Sequence, residues 1–203
     1  MRKIFVTGIG TDVGKTVVSA LLVEALKADY WKPVQAGTFH PTDSDSIKKW
    51  ISNSKTVIHP EAYRLREGKS PHEASAIEGI HIDPDRIVLP DTTNTLVIEG
   101  AGGVLVPLNN KFFIIDLIKK FDAEVVVVIQ NYLGSINHSL LTLDALKQKG
   151  IKVLGLVFNG SPHEASKQII MSYSGLPCIS DILSEGKIDK SIILKYAKDF
   201  QNI

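Results

Sequence analysis

The chain has 203 residues, 44% of them hydrophobic and 22% charged, with a formal net charge of +1. This balance gives no reason to expect a polyanionic partner such as nucleic acid, and the longest purely apolar run, Val125 to Ile129, is far too short to span a membrane. Cys178 is the single cysteine, which excludes an internal disulfide and a CxxC metal knuckle and leaves core filling as its expected role. Residues 1–203 are long enough for one domain with a three-layer core and are read as such. The sequence opens on a strand pattern with no signal-peptide pattern ahead of it, so the cytoplasm is the expected compartment.

In chain order, Ile4, Phe5 and Val6 form a short apolar run that stops at glycines, and a helical pattern follows at Val18, Leu21, Leu22, Ala25 and Leu26. Between them lies Thr-Gly-Ile-Gly-Thr-Asp-Val-Gly-Lys-Thr, residues 7 to 16. A loop that wraps a polyphosphate must turn N–H groups inward, and Gly8, Gly10 and Gly14 tolerate the dihedrals this requires. Lys15 adds a mobile positive charge, and Thr16 opens a helix whose N-terminus favours anions and whose first hydroxyl can ligate Mg²⁺. Gly8 and Gly14 stand one residue further apart than the GxxxxGK[ST] pattern asks, so the match is to a lengthened phosphate loop.

Further apolar runs occur at Tyr30 to Val34, Leu96 to Ile98, Val125 to Ile129 and Ile151 to Phe158. Helical patterns are read at Lys15 to Lys27, Asp45 to Ile51, Phe112 to Phe121, Ile136 to Lys149, His163 to Tyr173 and Asp189 to Phe200. Alternating strands and helices predict an α/β, P-loop NTPase-like three-layer sandwich, with a mostly parallel sheet and helices on both faces. The proline-rich segment from Phe39 to Asp91 reads as loops with short helices. Ligands of such sheets bind in the crevice at the carboxyl ends of the strands.

Lys32 precedes Pro33, which holds it extended at a strand end, either in solvent or pointing into that crevice. Asp43 and Asp45 lie in a Thr-Asp-Ser-Asp-Ser string that suits either helix capping or a carboxylate for Mg²⁺. Glu99 ends an apolar strand and is followed by Gly100, Ala101, Gly102 and Gly103, a good position for the acidic residue that helps a P-loop protein hold its metal. Ser135 is a natural N-cap for a helix whose start can hold an anion, and His138 on that helix reads as a packed or hydrogen-bond-satisfied histidine rather than a catalyst. Asn159 and Gly160 end the last predicted strand, where an amide can read a base edge or simply form a turn. No NKxD element follows, which favours adenine over guanine or loose base selectivity.

Taken together, residues 7–16, Lys32-Pro33-Val34-Gln35-Ala36-Gly37, Ser44-Asp45, Ser70-Pro71-His72, Glu99 to Gly103 and Leu133-Gly134-Ser135-Ile136-Asn137-His138 resemble the dethiobiotin synthetases, the ATP-dependent enzymes of biotin synthesis. The resemblance runs in order from residue 3 to about residue 160. It implies a cyclo-ligase that adds CO₂ to 7,8-diaminopelargonate and closes a ureido ring with release of ADP and phosphate. It implies a homodimer with the site at the subunit interface. By match of motifs, Lys32 and Lys15 are the catalytic lysines. ATP is assigned to Asp12, Val13, Gly14, Lys15, Thr16, Val17, Asp45, Glu99, Gly100, Ala101, Gly102, Asn159 and Gly160. The substrate is assigned to Thr11, Lys32, Ala36, Gly134, Ser135 and Asn137, and Mg²⁺ to Thr16, Asp45 and Glu99. A carbamate and a triphosphate are both anions and need cations between them; one charge pair at ~4 Å is worth roughly 4 kcal/mol at an effective dielectric of 20.

This chain departs from the family pattern in places. Asp12 stands where relatives often carry glutamate. Ala36 offers no hydroxyl to the substrate, so either Thr38 supplies one or the substrate binds without it. Leu183 to Glu185 lacks a Pro-Trp-type adenine loop. Two other classes share parts of the pattern. A ParA- or MinD-like switch ATPase usually has a second lysine within the phosphate loop, and none stands between Gly8 and Lys15. A cobyrinate amidase-like synthetase normally carries a glutaminase domain with a nucleophilic cysteine, which 203 residues with one unremarkable cysteine, Cys178, are not expected to hold.

Overall fold

The computed structural model describes residues 1–37 and 41–203. Seven strands form one sheet in the order β4-β2-β6-β1-β7-β8-β9, and every pairing in it is parallel. These strands are β1 (Lys3–Gly8), β2 (Asp29–Trp31), β4 (Ile58–His59), β6 (Leu96–Gly103), β7 (Glu124–Gln130), β8 (Val153–Asn159) and β9 (Cys178–Ile182). A parallel strand covered on both faces must be apolar throughout, and Ile4 to Val6, Leu96 to Ile98 and Val125 to Ile129 are wholly buried. The helices are α1 (Lys15–Leu26), α2 (Asp43–Trp50), α3 (Pro71–Ile77), α4 (Ile114–Phe121), α5 (Ser135–Gln148), α6 (Glu164–Ser174) and α7 (Lys190–Ala197), of which α1, α4 and α5 lie against this sheet.

The connection leaving β1 runs toward β2 on one side, and that leaving β6 runs to β7 on the other. The carboxyl ends of β1 and β6 therefore flank the reversal point where such sheets bind ligands. The run expected as a single strand from Tyr30 to Val34 is divided. Trp31 ends β2 in the large sheet, Pro33 interrupts the ladder because it has no N–H to donate, and β3 (Val34–Ala36) pairs with β5 (Tyr63–Leu65) in a separate parallel pair. Lys32 sits at that break, in the crevice wall. The Phe39 to Asp91 segment holds β4 and β5 besides its short helices, and β9 forms a sheet edge that no sequence run announced. The strand expected from Ile151 begins at Val153, and Glu99 lies within β6, which continues to Gly103.

Candidate active site

The loop from Gly8 to Lys15 turns on two left-handed residues, Asp12 at φ 58° and Gly14 at φ 98°. Gly14 is the N-cap of α1, so that helix start carries no side-chain cap, and no acid occupies its first turn. Uncapped N–H groups at the positive end of a helix favour an anion. A side chain at Gly14 would also collide with the Asn159 amide nitrogen. Asn159 donates instead to the Val13 carbonyl at 2.9 Å, tying the end of β8 to the phosphate loop.

Lys15 donates to the Gly10 carbonyl at 2.8 Å and is 7% exposed. Burial strips water from its ammonium and, with the positive charge of Lys32 acting the same way, lowers its pKa to about 8 against the pull of Glu99 and Asp43. Lys32 is 5% exposed, 3.1 Å from Glu99 Oε1 and ion-paired with Asp43. Burial opposes its charge, but Glu99 and Asp43 outweigh that cost and hold its pKa above the ordinary lysine value. Burial likewise opposes the Asp43 carboxylate, and Lys32 overcomes it, leaving that pKa below the usual range.

The Thr16 hydroxyl lies 2.9 Å from Asp43 Oδ1 and 2.9 Å from Glu99 Oε1. Asp45, the aspartate expected there, faces another way. It is the third residue of α2, and its carboxylate accepts from the Thr42 N–H at 3.0 Å while the Thr42 side chain accepts from the Asp45 N–H. This is a capping box, which fixes Asp45 at the helix start and presents Asp43 to the cleft. The expectation from sequence is corrected accordingly: Asp43 joins Thr16 and Glu99. Tyr30 also reaches this group, its phenol donating to Glu99 Oε2 at 2.9 Å. Burial, then the Glu99 charge, raises its pKa well above the ordinary value, so the phenol stays a donor.

A cleft of about 720 Å³ gathers Thr11, Asp12, Gly14, Lys15, Thr16, Val17, Lys32, Gln35, Ala36, Asp43, Glu99, Ala101 and Gly102 with the Gly68–Pro71 turn. Val13 and Gly100 are not on its wall: Val13 is buried, and Gly100 leaves room for the Phe5 ring, which an added carbon would approach to 2.8 Å. Gly160 lines a separate cavity of about 210 Å³ with Asn131, Pro162 and Leu183. Gly134, Ser135 and Asn137 lie outside the cleft of their own chain. Gly134, not Ser135, is the N-cap of α5, with φ 106°. His138 is exposed and its Nδ1 lies 2.7 Å from the Tyr132 hydroxyl, so of the two expected roles it takes the satisfied one and not the packed one. Thr38, considered as a replacement for the missing hydroxyl at Ala36, lies outside the described residues.

Two carboxylates and a hydroxyl are too few for an all-protein metal cage, and no cluster of three His, Cys, Asp or Glu groups occurs among the described residues. Such a partial shell suits Mg²⁺, which keeps waters and takes substrate phosphates as ligands.

A family model described as an AAA domain matches residues 2–190. An ATP-dependent dethiobiotin synthetase from Cytophaga hutchinsonii is 52% identical over 204 residues, covering 100% of this chain and 98% of the relative. One from Christiangramia forsetii is 46% identical over 98% of this chain and 96% of the relative. The chain belongs to the dethiobiotin synthetase family. As a dethiobiotin synthetase it is an ATP-dependent ligase. The same fold occurs in the cell-division ATPase MinD from Pyrococcus furiosus, with TM-score 0.62, 15% identity and coverage of 99% of both chains. A ParA family ATPase from Chlorobium tepidum aligns with TM-score 0.60 and 12% identity, covering 97% of this chain and 98% of the other. At such identities the likeness extends to the fold alone.

Sequence reasoning offered both Asp43 and Asp45 as the cleft carboxylate, with the motif resemblance choosing Asp45, and it missed Tyr30 altogether. For Asp43 a signal existed in Thr42 and Asp45, spaced as a capping box. For Tyr30 there was none, because its contact depends on the register of β2 against β6.

Proposed function

We propose that residues 1–203 act as one synthetase domain that joins CO₂ and 7,8-diaminopelargonate at the expense of ATP, in the cytoplasm, where ATP is available. One amine nitrogen adds to CO₂ and gives up a proton to become a carbamate. A carbamate oxygen attacks the γ-phosphorus and ADP leaves. The second amine then attacks the carbamate carbon and gives up a proton, and phosphate leaves as the cyclic urea closes.

The observation that carries this reading is the second lysine. Phosphate binding by the loop needs Lys15, but Lys32 is a second buried cation in the wall of the same crevice. A buried charge survives only if paired, and Lys32 is placed to exchange its carboxylate partners for an anionic substrate. In this reading Lys32 holds the carbamate, Lys15 bridges carbamate and phosphate, and Thr11 contacts the amine end. Asp12, Gly14 and Val17 face the phosphates, with Ala101 and Gly102 opposite, and Asn159 and Gly160 stand on the base side. Magnesium, held by Thr16, Asp43 and Glu99, neutralises phosphate charge when bound. Positioning and charge neutralisation are most of what phosphoryl transfer asks of a protein.

The far end of the substrate is a carboxylate and needs its own anion site. The uncapped start of α5, at Gly134, Ser135 and Asn137, suits it but lies outside the cleft of its own chain. Leu133, Ile136 and Leu141 beside it are exposed apolar side chains. We therefore assign the active unit to a homodimer in which this helix start serves the partner's cleft. The assay is phosphate release with single omissions. Release that needs ATP, bicarbonate and the diamine together is the expected result, and release from ATP alone would favour a nucleotide-switch activity.

A further inference from the structure

Tyr30 is wholly buried in β2 and pairs in register with Val97 of β6, two residues before Glu99 on the same face of that strand. The ring therefore runs along β6 and brings its hydroxyl to Glu99 Oε2 at 2.9 Å. The other oxygen, Oε1, faces Thr16 at 2.9 Å and Lys32 at 3.1 Å. The two oxygens of one buried carboxylate are thus divided, one toward the cleft and one committed to the protein interior.

We propose that Tyr30 is a positioning residue that makes Glu99 a one-oxygen ligand and so favours Mg²⁺ over Ca²⁺ in the cleft. The inference rests on the reading of Thr16, Asp43 and Glu99 as the magnesium shell. Mg²⁺ demands a small, near-ideal octahedron and takes carboxylates through single oxygens, whereas Ca²⁺ accepts more ligands and often takes both oxygens of one carboxylate. With Oε2 held by the phenol, two-oxygen coordination would require breaking a buried hydrogen bond. Partners that orient a metal ligand in this way typically account for about 10- to 100-fold in metal affinity.

The test is calorimetric titration of ADP in EDTA, in Mg²⁺ and in Ca²⁺, on the full chain and on Tyr30→Phe, which keeps the ring and removes only the hydroxyl. The expected result is metal-free ADP affinity close to that of the parent, with the Mg²⁺-over-Ca²⁺ preference reduced about tenfold. In a Glu99→Gln background, Tyr30→Phe should cause no further change, since the hydroxyl then has no carboxylate to divide. An unchanged preference in Tyr30→Phe, or the same reduction in the Glu99→Gln background, would overturn the inference. Loss of metal-free ADP binding in Tyr30→Phe would also overturn it, by assigning the hydroxyl to the fold. A parent protein whose ADP affinity ignores Mg²⁺ would instead remove the metal reading itself, and this inference with it.

Discussion

The Thr16 hydroxyl lies 2.9 Å from Asp43 Oδ1, while Asp45, two residues on, is turned back onto Thr42. The two aspartates of one helix turn thus face different tasks. Asp43→Asn removes a charged oxygen from the cleft and should raise the Mg²⁺ concentration for half-maximal rate about tenfold. Asp45→Asn should leave that concentration unchanged and weaken the start of α2 through the lost negative charge in its first turn, at a cost of about 0.3–1 kcal/mol. Mg²⁺ titrations and thermal melts on the two variants check this; a shifted Mg²⁺ requirement in Asp45→Asn alone would return the sequence-based assignment.

The two lysines should separate in their effects. Lys15→Gln is expected to weaken ATP binding and turnover together, because the residue belongs to the phosphate loop. Lys32→Gln should leave ATP binding nearly intact and abolish turnover. It should also destabilise the protein by about 3–5 kcal/mol, since Glu99, 1% exposed, loses its buried cation. Calorimetry with ATP and a denaturant titration measure the two effects. Equal losses of ATP affinity in both variants would contradict the division of labour.

How much of this was legible in the sequence alone depended on whether a feature is local. The phosphate loop, Lys32 before its proline and Glu99 at the end of an apolar run are all marked by their immediate neighbours, and all three meet in one cleft. Asp43 and Asp45 were harder, because a Thr-Asp-Ser-Asp string offers several caps and only the choice of Thr42 decides which carboxylate is released. The division of residues 30–34 between two sheets follows from Pro33, but its pairing with β5 is a tertiary event. Strand β9 is a short edge strand with a polar centre at Ser180 and Asp181, so it lacks the apolar run that announced the interior strands. The Tyr30 to Glu99 bond depends on strand register, which no local pattern encodes.

The Lys15 pKa of about 8 has a direct consequence for nucleotide binding. Burial is the main cause of the depression, and a bound polyphosphate would favour the protonated form and raise the pKa again. Binding above pH ~8 must therefore take up a proton, and affinity should fall as pH rises, by at most about tenfold per pH unit. Calorimetry at pH ~8.5 in two buffers of different ionisation heat should reveal this uptake. Equal apparent heats in both buffers would place the lysine's pKa outside that range.

The shared-site assignment predicts complementation between inactive chains. Lys32→Ala should inactivate the cleft, and Asn137→Glu puts a charge that repels carboxylate at the exposed first turn of α5 without straining Gly134. After subunit exchange, half of the dimers are mixed and each has one intact site, so about a quarter of full activity should return. No recovery, with exchange demonstrated by mass spectrometry, would confine each site to a single chain.

The most direct measurement follows carbon from bicarbonate into product. The purified chain is given ATP, Mg²⁺, 7,8-diaminopelargonate and isotopically labelled bicarbonate, and the products are separated and weighed by mass spectrometry. The account predicts one labelled carbon in a cyclic urea, formed in equal amount to the phosphate released and absent from Lys32→Gln. Phosphate release without label in any product, or labelled product formed at the parent rate by Lys32→Gln, would contradict it.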